Sequence, residues 1–165
     1  MQQAWVVEDL EKAMFAWTHN CGVGPFFVAE HVPMERLVYR GRPAAIDCTI
    51  ALAQSGRTQI ELIVQHCDGP SIYRDLIPKG RSGFHHLAVV CEEYERDLAH
   101  YQAAGSQVAM TGLFADMRFA YVDASAELGC VIELLEDKPV IREHFEMIAR
   151  AAENWDGSNP VRPAF

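Results

Sequence analysis

The chain has 165 residues, half of them apolar and 22% charged, enough for one ordinary folded unit or two small modules sharing a core. A formal net charge of −9 without a basic stripe speaks against a nucleic-acid partner. No apolar run nears the roughly 20 residues that span a bilayer, no signal-peptide pattern opens the chain, and five cysteines without CxxC spacing read as reduced thiols in a cytoplasmic protein rather than a thiolate zinc site.

Residues 1–7 read as a short strand. Asp9 is a suitable N-cap for a helix carrying Leu10, Ala13, Met14 and Trp17 on one face, stopped by Asn20 and Gly22. A turn at Gly24-Pro25 leads into a strand over residues 26–32, and residues 33–43, bounded by two prolines, read as a loop. Residues 45–53 alternate: Ile46, Cys48, Ile50 and Leu52 against Asp47, Thr49 and Ala51. Residues 58–65 alternate again, with Gln59, Glu61, Ile63 and Gln65 opposing Ile60, Leu62 and Val64. A connector follows over residues 67–83, with a helical turn near residues 71–77. The order then repeats: a strand over 84–91, a helix over 93–104 ended by Gly105, and strands over 107–111, 116–123 and 130–135. Pro139 opens a further helix with Ile141, Phe145, Ile148 and Ala152 in line. This helix is expected to pack on the sheet's outer face or on a second copy of the chain, and to take no part in chemistry.

The repetition extends to single residues. Gln-Ile-Glu-Leu-Ile at 59–63 recurs as Val-Ile-Glu-Leu-Leu at 131–135. The opening strands pair Gln2, Ala4 and Val6 with His86, Ala88 and Val90. The division is therefore residues 1–66 as module one, 67–83 as connector and 84–138 as module two, together one domain over 1–138, with a helix and tail over 139–165. Glu61 and Glu133 each lie between apolar neighbours. Burying two carboxylates in one cavity is costly unless a cation compensates them. Gln2, Glu61, His86 and Glu133 thus make a candidate metal site of one amide, two carboxylates and one imidazole. Its mixed donors suit Zn, Ni, Co, Mn or Fe better than Ca. Asp47, Thr49 and Arg118 are candidates for contacting substrate. His85, beside His86, would take its place if the strand register slipped by one.

These segments, together with Trp5-Val6-Val7-Glu8-Asp9-Leu10, Gly22-Val23-Gly24-Pro25-Phe26 and Gly83-Phe84-His85-His86-Leu87-Ala88-Val89, resemble the vicinal oxygen chelate superfamily. That group includes glyoxalase I, methylmalonyl-CoA epimerase, extradiol dioxygenases and bleomycin-resistance proteins. The paired histidines after Gly83 and the Gly69-Pro70-Ser71-Ile72-Tyr73 run are most similar to the epimerase-like branch. The resemblance implies an α+β fold in which two βαβββ modules form an open, metal-centred barrel. It puts the metal ligands at Gln2, Glu61, His86 and Glu133. Gln2 departs from the more common His, yet matches the set of some glyoxalase I enzymes. The implied activity is a metal-dependent isomerase or lyase acting on a small α-carbonyl or acyl-thioester substrate, through proton abstraction and a metal-stabilised enediolate or enolate. Glu133 is the implied base, with Glu61 opposite. The alternatives are a non-catalytic, antibiotic-type binding protein and a ring-cleaving dioxygenase, the latter disfavoured by Gln2. A small-molecule substrate is the expected partner, and the open barrel and apolar helix stripe leave room for a homodimer.

Overall fold

The structure, a computed structural model, describes residues 1–164; of the tail read from the sequence, residue 165 lies outside them. In chain order its elements are β1 (Gln2–Val6), α1 (Leu10–Cys21), β2 (Phe26–Ala29), β3 (Glu35–Tyr39), β4 (Arg42–Pro43), β5 (Cys48–Ser55), β6 (Thr58–Gln65) and α2 (Ile72–Leu76). The second half supplies β7 (Gly83–Cys91), α3 (Tyr94–Ala103), β8 (Gln107–Phe114), β9 (Met117–Ala124), α4 (Ser125–Leu128), β10 (Cys130–Glu136), α5 (Pro139–Ala152) and β11 (Val161–Pro163). The strands form one open mixed sheet of eleven, in the order β11-β2-β5-β6-β1-β7-β10-β9-β8-β3-β4. This is the α+β arrangement of paired βαβββ modules. Among the described residues, no helix is long and apolar enough to cross a membrane.

The two halves meet at the antiparallel pair β1–β7, and each of those strands has its own module's closing strand as a parallel neighbour. The register repeats the sequence symmetry: Ala4 stands beside Glu61 on β6, and Ala88 beside Glu133 on β10. A methyl side chain next to each glutamate leaves room for the carboxylate to lean over the seam.

Asp9 caps α1 through its side chain, which accepts from the backbone N–H of Lys12, and Gly22 ends the helix at φ +66°, where a residue with a Cβ would be strained. α1 covers one end of the convex face, where Val7, Met14, Phe26 and Leu62 are buried together. α3 covers the other end over Tyr94, Val122, Ile132 and Leu134. The concave face carries a third core that includes Ile63, Tyr73, Met110, Phe119 and Ile141. Each fully buried aliphatic or aromatic side chain in these layers contributes roughly 1.5–3 kcal/mol of transfer free energy.

Two expectations from the sequence are corrected. The segment over residues 33–43 is not a loop. It holds β3 and β4, and β3 pairs antiparallel with β8 of the other module. The C-terminal helix does not lie on the outer face: α5 packs against β5 on the concave side, so Ile141 and Phe145 join the inner core. The sheet's outermost strands, β11 and β4, are three and two residues long, and each contains a proline.

Candidate functional site

Strand alternation delivers Gln2 from β1, Glu61 from β6, His86 from β7 and Glu133 from β10 to the concave face of the four central strands. All four are buried, with His86 at 0% exposure. His86 Nε2 lies 3.2 Å from Glu61 Oε2 and 3.1 Å from Glu133 Oε2. These approaches are close enough for ion pairing but misaligned for hydrogen bonding, so Glu61 Oε2 and His86 Nε2 remain buried without a hydrogen-bond partner. One ligating atom from each of Glu61, His86 and Glu133 lies within 4.8 Å of the others. Gln2 joins them at the rim, where its amide N–H donates to Gln59 Oε1 at 2.7 Å. That bond leaves the Gln2 carbonyl oxygen as the atom able to ligate.

His85, which a register shift in the β1–β7 pairing leaves without a partner residue on β1, packs beside His86 and the Tyr73 ring and fixes the His86 tautomer. Its Nε2 lies 3.0 Å from the carbonyl oxygen of Ile72, which can only accept, so Nε2 carries the proton. Burial, reinforced by His86, pushes the His85 pKa down to about 3 and keeps the ring neutral. Its Nδ1 is therefore a lone pair, and His86 Nδ1–H donates to it at 2.9 Å. The chain of bonds leaves the lone pair of neutral His86 on Nε2, aimed between two carboxylates. Three electron-rich groups facing one another in a buried site need a positive charge. Without a metal ion a proton takes that place. Burial alone would lower the His86 pKa, but Glu133 and Glu61 outweigh it and raise the pKa to about 9. Burial likewise raises the Glu61 pKa, the His86 contact opposes the rise, and Glu133 adds to it. The donor chemistry and the orphaned atoms fit a divalent transition ion.

Above the cluster lies a cavity of about 100 Å³ bordered by Gln2, Glu61 and Glu133. Its walls are apolar, with Phe27, Ile50, Leu52, Phe119 and Phe145 among them, and α5 also contributes His144. Tyr73 and Tyr121 complete the wall. Their hydroxyl oxygens are 3.0 Å apart, and burial holds both phenols protonated, far above their ordinary range. The Tyr121 ring packs edge-on against His86 at 5.2 Å. Neither tyrosine, nor His85 in its supporting role, nor His144 was expected from the sequence. One signal was available for Tyr121: it is the cross-strand partner of Glu133, and such partners share a face.

The candidate substrate contacts are placed elsewhere. On β5 it is Ile50 and Leu52 that line the cavity, while Thr49 opens onto a cleft on the other face. Asp47 pairs with His31 at 2.7 Å, and Thr49 Oγ1 lies 2.8 Å from His66 Nε2. Asp47 and Thr49 therefore do not face the site. Arg118 alternates away from Met117, Phe119 and Tyr121. It bonds Glu136 at 2.9 Å and Glu95, and covers the Tyr94 ring. Its guanidinium draws the Glu136 carboxyl down to about 2. Arg118 thus serves the α3 side of the sheet.

The sequence profile of the glyoxalase/bleomycin resistance protein/dioxygenase superfamily matches residues 1–121. The chain belongs to that superfamily. The match spans β1 to β8 and part of β9 and stops short of β10, so within the glyoxalase-superfamily site Glu133 rests on the geometry above. No curated protein matches the chain. Among solved structures, the chain is similar to methylmalonyl-CoA epimerase from Mycobacterium tuberculosis, with 17% identity and TM-score 0.55 over 86% of this chain and 89% of that one. It is also similar to a hypothetical protein from Bacillus halodurans, with 17% identity and TM-score 0.59 over 83% and 92%. A Streptomyces coelicolor methylmalonyl-CoA epimerase in complex with 2-nitronate-propionyl-CoA gives 14% identity and TM-score 0.55 over 82% and 94%. At these identities the likeness is one of fold.

Proposed function

We propose that this glyoxalase-superfamily protein is a metal-dependent isomerase or lyase of the glyoxalase or epimerase kind. Its substrate would be a small α-carbonyl or acyl-thioester compound. The observation that carries the reading is the convergence of Glu61 and Glu133 on the His86 lone pair, beneath an apolar cavity. Gln2, Glu61, His86 and Glu133 would hold the ion. When bound, a divalent ion supplies Lewis acidity toward paired substrate oxygens.

The remaining work belongs to the chain's own side chains. The apolar walls exclude water and strengthen the electrostatic interactions inside. Glu133, which borders the cavity, takes the proton from the substrate carbon next to the carbonyl. For isomerisation Glu133 returns that proton at the neighbouring carbon; for epimerisation Glu61, on the other side of the His86 imidazole, would enter the turnover protonated and give its proton on the opposite face, exchange with solvent then resetting both acids. Of the two hydrogen-bonded hydroxyls, Tyr73 and Tyr121, one donates to the other, and the second keeps its proton to donate to the substrate oxygen that gains negative charge. The fold likeness to an epimerase that holds a propionyl-CoA analogue supports the acyl-thioester option. A purely sequestering role would leave two buried acids and an oriented imidazole without a use.

The test is hydrogen–deuterium exchange at the α-carbon of 2-oxo aldehyde hemithioacetals and branched acyl thioesters, followed by NMR in D2O with protein loaded with Co2+, Ni2+, Zn2+ or Mn2+. Exchange is expected with at least one pairing. Glu133→Gln should slow it by roughly 10²–10⁴-fold, the usual contribution of a positioned acid–base group. Absence of exchange across every metal and both substrate classes would overturn the proposal.

A further inference from the structure

A second cluster of ligating side chains lies on the opposite face of β5, away from the cavity. His31 follows the end of β2, Asp47 precedes the start of β5, and His66 follows the end of β6. These three strands are neighbours in the sheet. Backbone bonds fix the ends: the His66 N–H donates to the Asp47 carbonyl at 2.8 Å, and the Val32 N–H to the Cys48 carbonyl at 2.9 Å. The arrangement thus belongs to the sheet frame and does not depend on a chance meeting of surface side chains.

His31 Nδ1 is 2.7 Å from Asp47 Oδ1, and the His31 and His66 rings lie 5.1 Å apart. One ligating atom from each of the three residues lies within 4.8 Å of the other two. Ligands at about 2.0–2.1 Å from a tetrahedral ion are roughly 3.3 Å apart. Small side-chain rotations close that difference, and the side chains of His31 and Asp47 are free to make them at 68% and 46% exposure. An ordinary surface ion pair would need one histidine. Here a second imidazole, His66, whose Nε2 lies 2.8 Å from Thr49 Oγ1, stands within ligating reach of the pair, giving two nitrogens and one oxygen, a set that suits Zn, Co, Ni and Fe rather than Ca or Mg. The adjoining cleft is also bordered by Glu11 and Glu30, by Glu8 and Asp9, which pair with Arg74 and Lys12, and by Arg162.

We infer that His31, Asp47 and His66 form a second site, for a divalent transition-metal ion, on the face of the sheet that carries α1. The ion would keep one or more coordination positions open toward the cleft, where water or a small anionic ligand completes the shell. The site is separate from the Glu61–His86–Glu133 cluster, because β5 turns Ile50 and Leu52 to the cavity, while His31, Thr49 and His66 line the cleft and Asp47 pairs with His31 beside it.

Zn2+ titration by calorimetry, with Co2+ absorption as a second readout, tests this. Full-length wild type, His66→Ala, His31→Ala/His66→Ala and Glu61→Gln/Glu133→Gln would be compared after thermal melts confirm folding. The expected result is two ions per wild-type chain and one per chain in both histidine variants. Loss of a direct ligand should weaken the outer site by more than the roughly 10–100-fold seen when only a supporting contact is removed. The central double variant should retain one ion, sensitive to a further His66→Ala. If wild type binds a single ion, its sensitivity decides: loss with His66→Ala upholds the outer site, and no change overturns it. Equal stoichiometry and affinity in wild type and both histidine variants also overturns it.

Discussion

Replacing His85 by phenylalanine separates the central cluster's chemistry from its mere packing. The ring is fully buried, between the Ile72 carbonyl and His86 Nδ1–H. Phenylalanine fills similar volume but leaves both of those groups without a partner. Each orphaned buried group costs roughly 1–3 kcal/mol, so the variant should lose about 2–6 kcal/mol of stability. It should also lose roughly 10–100-fold in metal affinity, as happens when the group orienting a metal-bound histidine is removed. Two gentler variants divide these effects. His85→Asn keeps an acceptor near the Nδ1 position and should recover affinity more than stability. His85→Gln keeps a donor near the Nε2 position and should recover stability more than affinity. Urea denaturation and Co2+ titration at one fixed pH report the two quantities independently. Metal affinity within twofold of wild type in a folded His85→Phe protein would refute the tautomer argument.

Other consequences can be measured on the same material. Because the folded His85 pKa is depressed to about 3 from an ordinary 6.5, the unfolded chain binds the extra proton in that window. Stability from this group is complete above pH 6.5 and is lost as pH falls toward 3, by on the order of 5 kcal/mol. Wild type should therefore show a steeper acid limb than His85→Phe in denaturation midpoints between pH 6.5 and 4, and parallel limbs would contradict it. At the central site, metal must displace the proton that His86 holds up to about 9. Apparent Zn2+ affinity should then rise by about tenfold per pH unit below that value, and a flat profile would show that the imidazole is not a ligand. Gly24→Ala would drive a methyl group into the Trp155 ring. It should cost roughly 1–3 kcal/mol and shift the tryptophan emission toward that of an exposed indole. Unchanged emission would mean that the tail is not seated there in solution.

The sequence carried the symmetric part of this molecule well. Glu61 and Glu133 announce themselves because an acid flanked by aliphatic residues recurs at the same place in two similar modules, and the Ala4/Ala88 match selects His86 over His85. The faces of β5 were read in reverse. Both of its rows are largely buried, so alternation could not say which row meets the cavity. Of the polar row, Thr49 in fact lines a cleft beside α1, and Asp47 pairs with His31 next to it. β3 was hidden because its partner, β8, lies some seventy residues further along the chain, a separation no local pattern reports. Arg118 drew attention by its charge, but its partners Glu95 and Glu136 belong to elements whose juxtaposition only the folded sheet creates. The role of α5 was misjudged for a similar reason: an apolar stripe shows that a helix is covered, without saying by which surface.

Both margins of the sheet end in stubs interrupted by proline, Pro163 at one side and Pro43 at the other. A stub of that kind offers too few backbone donors to template a further chain. Self-association through continuous main-chain ladders is thereby discouraged at either border. If two molecules of this protein meet, side chains must provide the contact, so its strength should respond to surface substitutions on the helices and be largely indifferent to changes at the rims.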